Sequence, residues 1–344
     1  MAAQSASPRV VRVVQLTEVM RVRYLVCLTV IVSAYTLAEA GRQAVEVDMR
    51  NVDLHVTPEV TLHIRQMRGH FVATGRAAPY LDDKRSYVVN VREGEIALDL
   101  ASLNRLIARS MGGDKSNVEK LQVWFNDDGT LGQKGVIDRA VNVPFKAQAT
   151  VSATADGRIR VSTTSVRSLG VPITPVLKLF GLKMDDLVRV APGTGIMTDG
   201  NDLILDPAEL VPAPPIRGRV TGVKIAGNRL VQSFGSGPGR PLAAGLSPNH
   251  IYWREGQLAF GKLTMADTDL ELIDMDPADP FDFSVDDWNA QLVAGYSKTL
   301  PNRGLKAHMP DYNDLRKGTA TGSSASSGSA PAVDKKGSGS GQSR

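Results

Sequence analysis

The chain has 344 residues and a single cysteine, Cys27. Cys27 lies in an apolar segment near the N-terminus. Because it is the single cysteine, the rest of the chain has no thiol and cannot form a disulfide. Thiol nucleophiles and cysteine-type zinc sites are therefore excluded from it. Folding stability must come from packing, for which a chain of this length has a sufficient core.

Aromatic residues make up only 5% of the chain, and the formal net charge is a modest +4. Lysine and arginine are scattered along the sequence, without a basic stripe interleaved with aromatics. Nucleic-acid binding needs such a stripe to neutralise phosphates and to stack bases. The composition therefore predicts no nucleic-acid partner.

Motifs for catalysis and for metal binding are also missing. None of the five histidines lies in an H-E-x-x-H or similar spacing, and the chain has neither a G-x-S-x-G elbow nor a P-loop. His63 alternates with Leu62 and Ile64, which predicts a position on the solvent side of a strand. We predict no catalytic residue, no metal site and no cofactor.

An acidic run between residues 267 and 287 is the strongest polar feature. Its members are Asp267, Asp269, Glu271, Asp274, Asp276, Asp279, Asp282, Asp286 and Asp287. Crowded carboxylates bind calcium, but this run lacks the D-x-D-x-D-G order of an EF-hand, and Pro277 and Pro280 interrupt it. A carboxylate pair for glycoside hydrolysis stays open, although no motif indicates one. We predict a solvated acidic face.

Residues 1–40 have the pattern of a secretory signal peptide. A basic segment at 21–23 precedes a short apolar stretch at 24–37 and an A-x-A cleavage site at 38–40. The apolar stretch is shorter than the roughly 20 residues of a membrane span. We expect cleavage after Ala40 and export to the periplasm or cell envelope, with an uncleaved N-terminal anchor as the alternative.

From residue 44 onward the sequence predicts a β-meander. Stretches of alternating apolar residues, such as 60–64, are separated by tight turns such as Ala155-Asp156-Gly157, which favours one long antiparallel sheet. Two helical segments interrupt the strands. Asp99 can cap the first, which is amphipathic, and the second, at 174–190, is apolar nearly all round.

Four stretches carry a family resemblance. They are residues 98–107 (LDLASLNRLI), 170–182 (GVPITPVLKLFGL), 201–207 (NDLILDP) and 216–235 (IRGRVTGVKIAGNRLVQSFG). With them the sequence resembles bacterial lipid-binding proteins of the LmeA-like group, which are similar to the TULIP (tubular lipid-binding) superfamily. The resemblance covers roughly residues 45–235, and its motifs are patterns of apolar and turn residues.

The resemblance implies an α+β, mostly β fold: a long bent antiparallel sheet wrapped around an amphipathic helix, a TULIP-like half-barrel. Beyond the resemblance, residues 251–273 predict a C-terminal extension that contains β-strands. The resemblance also implies a non-enzymatic protein that binds or transfers a phospholipid or other acyl-chain lipid in a groove between sheet and helix, with a membrane surface as a further partner. The residues expected to face lipid are Leu103, Leu106, Ile107, Met111, Val176, Leu177 and Phe180.

After the signal peptide we expect a lipid-binding domain at 41–235, an acidic C-terminal extension at 236–316 and a disordered Gly/Ser-rich tail at 317–344. A second hypothesis is a structural or scaffolding envelope protein. In that case its own side chains fill the sheet, and the acidic extension binds a protein partner that the sequence does not identify. An exported hydrolase is a third.

Overall fold

The computed structural model describes residues 43–111, 118–137, 142–172, 190, 192–235 and 245–323. The predicted signal peptide lies outside these residues, as do residues 174–189 of the second predicted helical segment and the tail from residue 324. Among the residues described, no helix combines the length and apolar character needed to cross a membrane.

Twenty strands and four helices make up this part of the chain. The strands are β1 (Ala44–Thr57), β2 (Val60–Ala73), β3 (Tyr87–Asp99), β4 (Val118–Phe125), β5 (Leu131–Ile137), β6 (Val143–Ala153), β7 (Ile159–Ser168), β8 (Val171–Pro172), β9 (Ile196–Asp199), β10 (Asp202–Leu205), β11 (Ile216–Gly218), β12 (Val220–Ala226), β13 (Arg229–Phe234), β14 (His250–Arg254), β15 (Leu258–Phe260), β16 (Leu263–Met265), β17 (Asp269–Asp274), β18 (Phe281–Ser284), β19 (Tyr296–Thr299) and β20 (Leu305–Met309). The helices are α1 (Leu100–Met111), α2 (Pro207–Leu210), α3 (Trp288–Ala294) and α4 (Tyr312–Ser323). Helix α4 runs into the segment predicted to be disordered, as far as Ser323.

The largest sheet has eleven strands. Its main path is β12-β13-β3-β2-β1-β14-β17-β20-β19, with β11 added beside β3 and β18 beside β1. The prediction of a mostly β fold with a long, strongly curled antiparallel sheet is confirmed. The structure adds three parallel pairs, β1 with β18, β3 with β11 and β17 with β20. The alternating patterns do not reveal these pairs because parallel and antiparallel neighbours bury the same side-chain face.

The bend of this sheet arises at one level across its three longest strands. The buried positions change phase between Met49 and Val52 in β1, and between Ile64 and Met67 in β2. At this level β3 has Gly94 with a φ of 154°, where an added Cβ would lie 2.5 Å from a carbonyl oxygen of β2. Irregularities of this kind bend strands and increase their twist, so the sheet curls around its apolar face.

Helix α1 joins the large sheet to a second one, and packs against β2, β3 and β4. Asp99 caps it as predicted, since its Oδ1 accepts a hydrogen bond from the Ser102 backbone N at 2.7 Å. On the helix, the Asn104 side chain donates to the Val123 carbonyl at 3.0 Å and accepts from the Val123 N at 2.9 Å. These two bonds fasten the helix to β4.

The second sheet has seven strands in the order β4-β5-β6-β7-β10-β9, with β8 paired to β7, and all of its pairs are antiparallel. A two-stranded sheet of β15 and β16 completes the set. The C-terminal extension does not stand apart, because β14 and β18 both pair with β1. Side chains from both predicted regions thus share one core.

Candidate functional site

The described members of the expected lipid-facing set lie in the closed core. Leu103, Leu106, Ile107 and Met111 are all buried, and Leu106 is fully so. They belong to the same hydrophobic cluster as the curled sheet. The other expected residues, Val176, Leu177 and Phe180, lie outside the described residues. The structure therefore places the helix face against protein side chains.

A small cavity of about 30 Å³ lies in the apolar interior of the curled sheet. Phe71, Trp253 and Phe283 are among its lining residues, which come from both ends of the described chain. A space of this size accommodates about one water molecule, whereas ligand pockets span roughly 300–1,000 Å³. The chain's own side chains fill this interior.

A much larger cleft of about 720 Å³ opens on the second sheet. The β4 to β7 register places Gln122 opposite Lys134, Lys134 opposite Lys146, and Lys146 opposite Arg167. All four residues line the cleft, together with Lys120. Neighbouring strands are about 4.8 Å apart, so Lys134, Lys146 and Arg167 form a short row of cations across adjacent strands.

This row is electrostatically unfavourable when the cleft is empty. Like charges directly opposite in a sheet destabilise it, and Lys146 has a cation on each side. No carboxylate is among the described lining residues, and no ion pair with Lys120, Lys134, Lys146 or Arg167 occurs in the part of the chain that the structure describes. Among the described residues, the row is therefore an unneutralised positive site that an anion would stabilise.

Lys120 reaches the cleft through a β-bulge. The β4–β5 register shifts between Glu119 and Gln122, and Lys120 within the bulge has a φ of 53°. A lysine seldom adopts this left-handed conformation. Bulges redirect side chains, and they are over-represented next to functional sites. The irregular backbone here adds a fourth cation to the cleft.

The cleft also has an apolar part, formed by Val136, Pro144, Phe145 and Leu169. The Phe145 ring lies across Gly135, where an added Cβ would come within 3.0 Å of the ring. Glycine at this position thus leaves room for the aromatic side chain. Cations on one part and apolar groups on another suit a ligand that is anionic at one end and apolar at the other.

A second polar cluster ties the large sheet to the start of α4. The His55 ring bonds through Nε2 to Asp282 and through Nδ1 to Thr61 Oγ1, the latter at 3.1 Å. Asp282 also accepts from the Asn313 backbone N at 3.0 Å, and its own N donates to Asp311 Oδ1 at 2.9 Å. The acid–histidine–hydroxyl order resembles that of a hydrolase triad, but the contacts of Asp282 with Asp311 and Asn313 also anchor the start of the C-terminal helix.

His63 is on the polar side of β2 as predicted, yet its side chain is only 12% exposed. Its Nδ1 lies 2.8 Å from an Asp53 oxygen, and its Nε2 lies 3.5 Å from Asp99. The ring on this polar face is therefore mostly shielded from solvent. Cross-strand carboxylates enclose this histidine between β1 and β3.

The prediction of a solvated acidic face is wrong for three members of the run. Glu271, Asp274 and Asp282 are buried. Glu271 lies 2.7 Å from Lys306 Nζ, and Asp274 accepts a hydrogen bond from Asn249 at 2.9 Å. Within the described ranges, no group of three or more His, Cys, Asp or Glu side chains is arranged to hold a metal ion. The acidic pattern does not reveal this burial, because the burial depends on the pairing of β17 with β14 and β20.

Two carboxyls in this region have altered acidity. Burial raises the pKa of Asp311 to about 7, with a further contribution from the negative charges of Asp274, Asp279 and Asp282. The pKa of Asp274 is also raised, mainly by burial. At neutral pH Asp311 is thus partly protonated.

Sequence reasoning missed the basic cleft. Its cations are separated by 12 to 21 positions between consecutive strands, Lys134, Lys146 and Arg167 among them, so they appear scattered along the chain. Only the pairing of β5, β6 and β7 gathers them. In the β5–β6 register Lys134 lies opposite Lys146, and the sequence pattern alone does not give this pairing. Comparison with known protein families, with curated proteins and with solved structures finds no match for this chain.

Proposed function

We propose that this chain is a non-enzymatic binding protein for an anionic acyl-chain lipid, a phospholipid above all, and that the lipid occupies the basic cleft. The row formed by Lys134, Lys146 and Arg167 carries this proposal. In it the phosphate of the headgroup lies among the three cations, and Lys120 approaches from the bulge. Charge-assisted hydrogen bonds to phosphate are among the stronger polar contacts in proteins.

The size and the apolar lining of the cleft support an amphiphile. A volume of about 720 Å³ falls within the range of ligand pockets. Phe145 and Leu169 offer apolar surface beside the cations, and each methylene removed from water contributes about 0.8 kcal/mol. A nucleic acid would instead need several aromatic stacking surfaces, and Phe145 is the one aromatic residue among the described lining residues.

The proposal retains the lipid function that the family resemblance implies, but locates it differently. The core position of Leu106 favours the outer cleft over the face of α1. If the protein is exported as the sequence predicts, it encounters the anionic phospholipids of the cell envelope as ligands. Binding or transfer, rather than chemistry on the lipid, is the proposed activity.

Binding is tested with a short-chain phosphatidylglycerol that stays monomeric in solution, using titration calorimetry. Lys134→Gln together with Lys146→Gln should weaken binding by about a hundredfold or more, because each of the two lost charge-assisted hydrogen bonds contributes roughly 1.5–3 kcal/mol. Lys224→Gln together with Lys262→Gln is the matched control. Both of these lysines are exposed and lie outside the cleft, so this variant should bind like the wild type.

Three results would contradict the proposal. They are equal binding of a zwitterionic short-chain lipid, unchanged binding by the cleft variant, and tighter binding of a single-stranded oligonucleotide than of the lipid. Native mass spectrometry of protein purified without detergent gives an independent check. We expect co-purified lipid in the wild type and less of it in the cleft variant.

A scaffolding function is the second candidate, and one observation favours it. The interior of the curled sheet is filled by the chain's own residues, with a cavity of only about 30 Å³. In that case the wild type would carry no lipid, and the cleft variant would differ from the wild type only in stability.

A further inference from the structure

The hairpin that joins β7 to β8 ends in an exposed apolar tip. Ser168 pairs with Val171, so Leu169 and Gly170 alone form its loop. Leu169 is 85% exposed and Val171 is 61% exposed. The Ser168 hydroxyl donates to the Pro144 carbonyl at 2.8 Å, which fastens the hairpin to β6. Two apolar side chains are thus exposed to solvent at the end of a hairpin that a hydrogen bond holds against β6.

The backbone at this tip disfavours leucine. Leu169 has a φ of 50° and Gly170 a φ of 82°. Two positive φ values are the mark of a type I′ turn, for which Asn-Gly or Gly-Gly is preferred. In the left-handed conformation the Cβ of leucine approaches the following carbonyl oxygen too closely. Neither local conformation nor packing accounts for leucine here, which indicates an interaction made with another surface.

Two cations lie near the base of the tip. Arg167 lies two residues before Leu169 and directly opposite Lys146, and both cations line the cleft that Leu169 borders. Apolar side chains that project beyond a set of cations match the interfacial region of a membrane, where apolar groups insert and cations contact lipid phosphates.

We propose that the β7–β8 hairpin docks onto the surface of a membrane containing anionic lipids, with Leu169 and Val171 inserted and Arg167 and Lys146 at the phosphates. Docking in this way opens the cleft directly onto the bilayer surface. The inference deepens the proposed lipid binding by supplying the route of entry, while the docking itself depends only on the tip and its cations.

Vesicle flotation tests the docking, with the protein as recovered from cells and vesicles of equal parts phosphatidylcholine and phosphatidylglycerol. The tip variant is Leu169→Asn together with Val171→Thr. Asparagine tolerates the left-handed conformation, and threonine keeps the branched shape of valine, so this variant should fold as well as the wild type. Its membrane affinity should fall by roughly tenfold or more, as expected when buried apolar surface is lost.

Val293→Thr supplies the matched control, because Val293 is also 85% exposed but lies on α3, outside the cleft. It should float like the wild type. Replacing phosphatidylglycerol with phosphatidylcholine should weaken wild-type binding by about fivefold for each cation at the surface. A melting curve for each variant shows that the fold is intact.

The outcomes separate the docking from the lipid site. Loss of flotation in the tip variant, while the Val293 control floats like the wild type, supports docking by the tip, and binding of short-chain phosphatidylglycerol is measured separately on the wild type. Flotation that depends on the tip without any binding of the short-chain lipid would overturn the proposed cleft function and leave the docking. Unchanged flotation of the tip variant, equal loss in the Val293 control, or no flotation of the wild type would overturn the docking proposal.

Discussion

Trp253 packs edge-on against Phe71, with ring centroids 5.6 Å apart and ring planes at 77°. Phe71 belongs to β2, and Trp253 belongs to β14 in the C-terminal extension. Both side chains are buried, and β14 pairs directly with β1. The extension is thus part of the curled sheet, and its removal would expose both an apolar surface and an unpaired strand edge.

The first prediction follows from this contact. Trp253→Ala should reduce the free energy of unfolding by about 3–5 kcal/mol, because a large buried side chain leaves a cavity. The loss should appear as one cooperative transition in chemical denaturation, since both regions share a core. Trp253→Phe, which keeps most of the apolar volume and removes an indole N–H without an acceptor among the described residues, should lose clearly less. Two separate transitions would show that the extension folds independently.

A second prediction concerns helix α1. Leu106→Trp should destabilise the protein by about 1–3 kcal/mol, because the residue is fully buried and an enlarged side chain overpacks a core. Thermal denaturation measures this. Arg109→Ala, at an exposed position of the same helix, should change stability by less than about 0.5 kcal/mol. A Leu106→Trp variant that melts normally and carries less co-purified lipid would instead place the lipid against α1.

The course of the curled sheet was predictable from sequence because burial alternates along its strands. Leu62 and Ile64, for example, alternate with polar neighbours, and Asp99 precedes a helical apolar pattern. Both features depend on nearby residues only. The capping bond from Asp99 and the long curled sheet therefore agree with expectation.

The cleft and the buried acidic residues depend on distant pairing. Lys146 becomes part of a basic row only through its neighbours in β5 and β7. Glu271 is buried because β14 and β20 flank its strand, and Lys306 supplies its counter-charge. Periodicity describes which face a residue occupies, but it does not identify the strand on either side. The location of the candidate site was for this reason beyond sequence reasoning.

A third prediction concerns pH. The pKa of Asp311 is raised to about 7 from its usual 3.8, so between these values the folded state holds a proton that the unfolded state has released. The folded state then binds more protons, and this group lowers stability as the pH rises from about 4 to about 7. Asp311→Asn removes the effect, while its side-chain oxygen can still accept the hydrogen bond from Asp282 N.

Melting temperatures of wild type and variant at pH 5 and pH 8 provide the measurement. Asp311→Asn should be the more stable protein at pH 8, and its advantage should be smaller at pH 5. Asp267→Asn controls for the loss of one negative charge, because Asp267 is an exposed member of the same run. An advantage of Asp311→Asn that grows toward pH 5 would contradict the assigned acidity.

The last prediction links the stability of the cleft to its binding. Lys146 has Lys134 opposite it on one side and Arg167 on the other. Opposed like charges destabilise a sheet by roughly 0.2–1 kcal/mol per pair. Lys146→Gln relieves both pairs, so the free energy of unfolding should increase by up to about 2 kcal/mol at low ionic strength. Added salt should reduce this gain, because it screens exposed charges.

The same substitution should weaken binding of short-chain phosphatidylglycerol, so stability and affinity should change in opposite directions. That combination is expected where a protein retains an unfavourable arrangement for function. Lys224→Gln, which removes an exposed charge outside the cleft, should alter neither quantity by a comparable amount. Two results would contradict anion binding as the reason for the row of cations. One is a Lys146→Gln variant less stable than the wild type, and the other is a gain in stability without a loss of affinity.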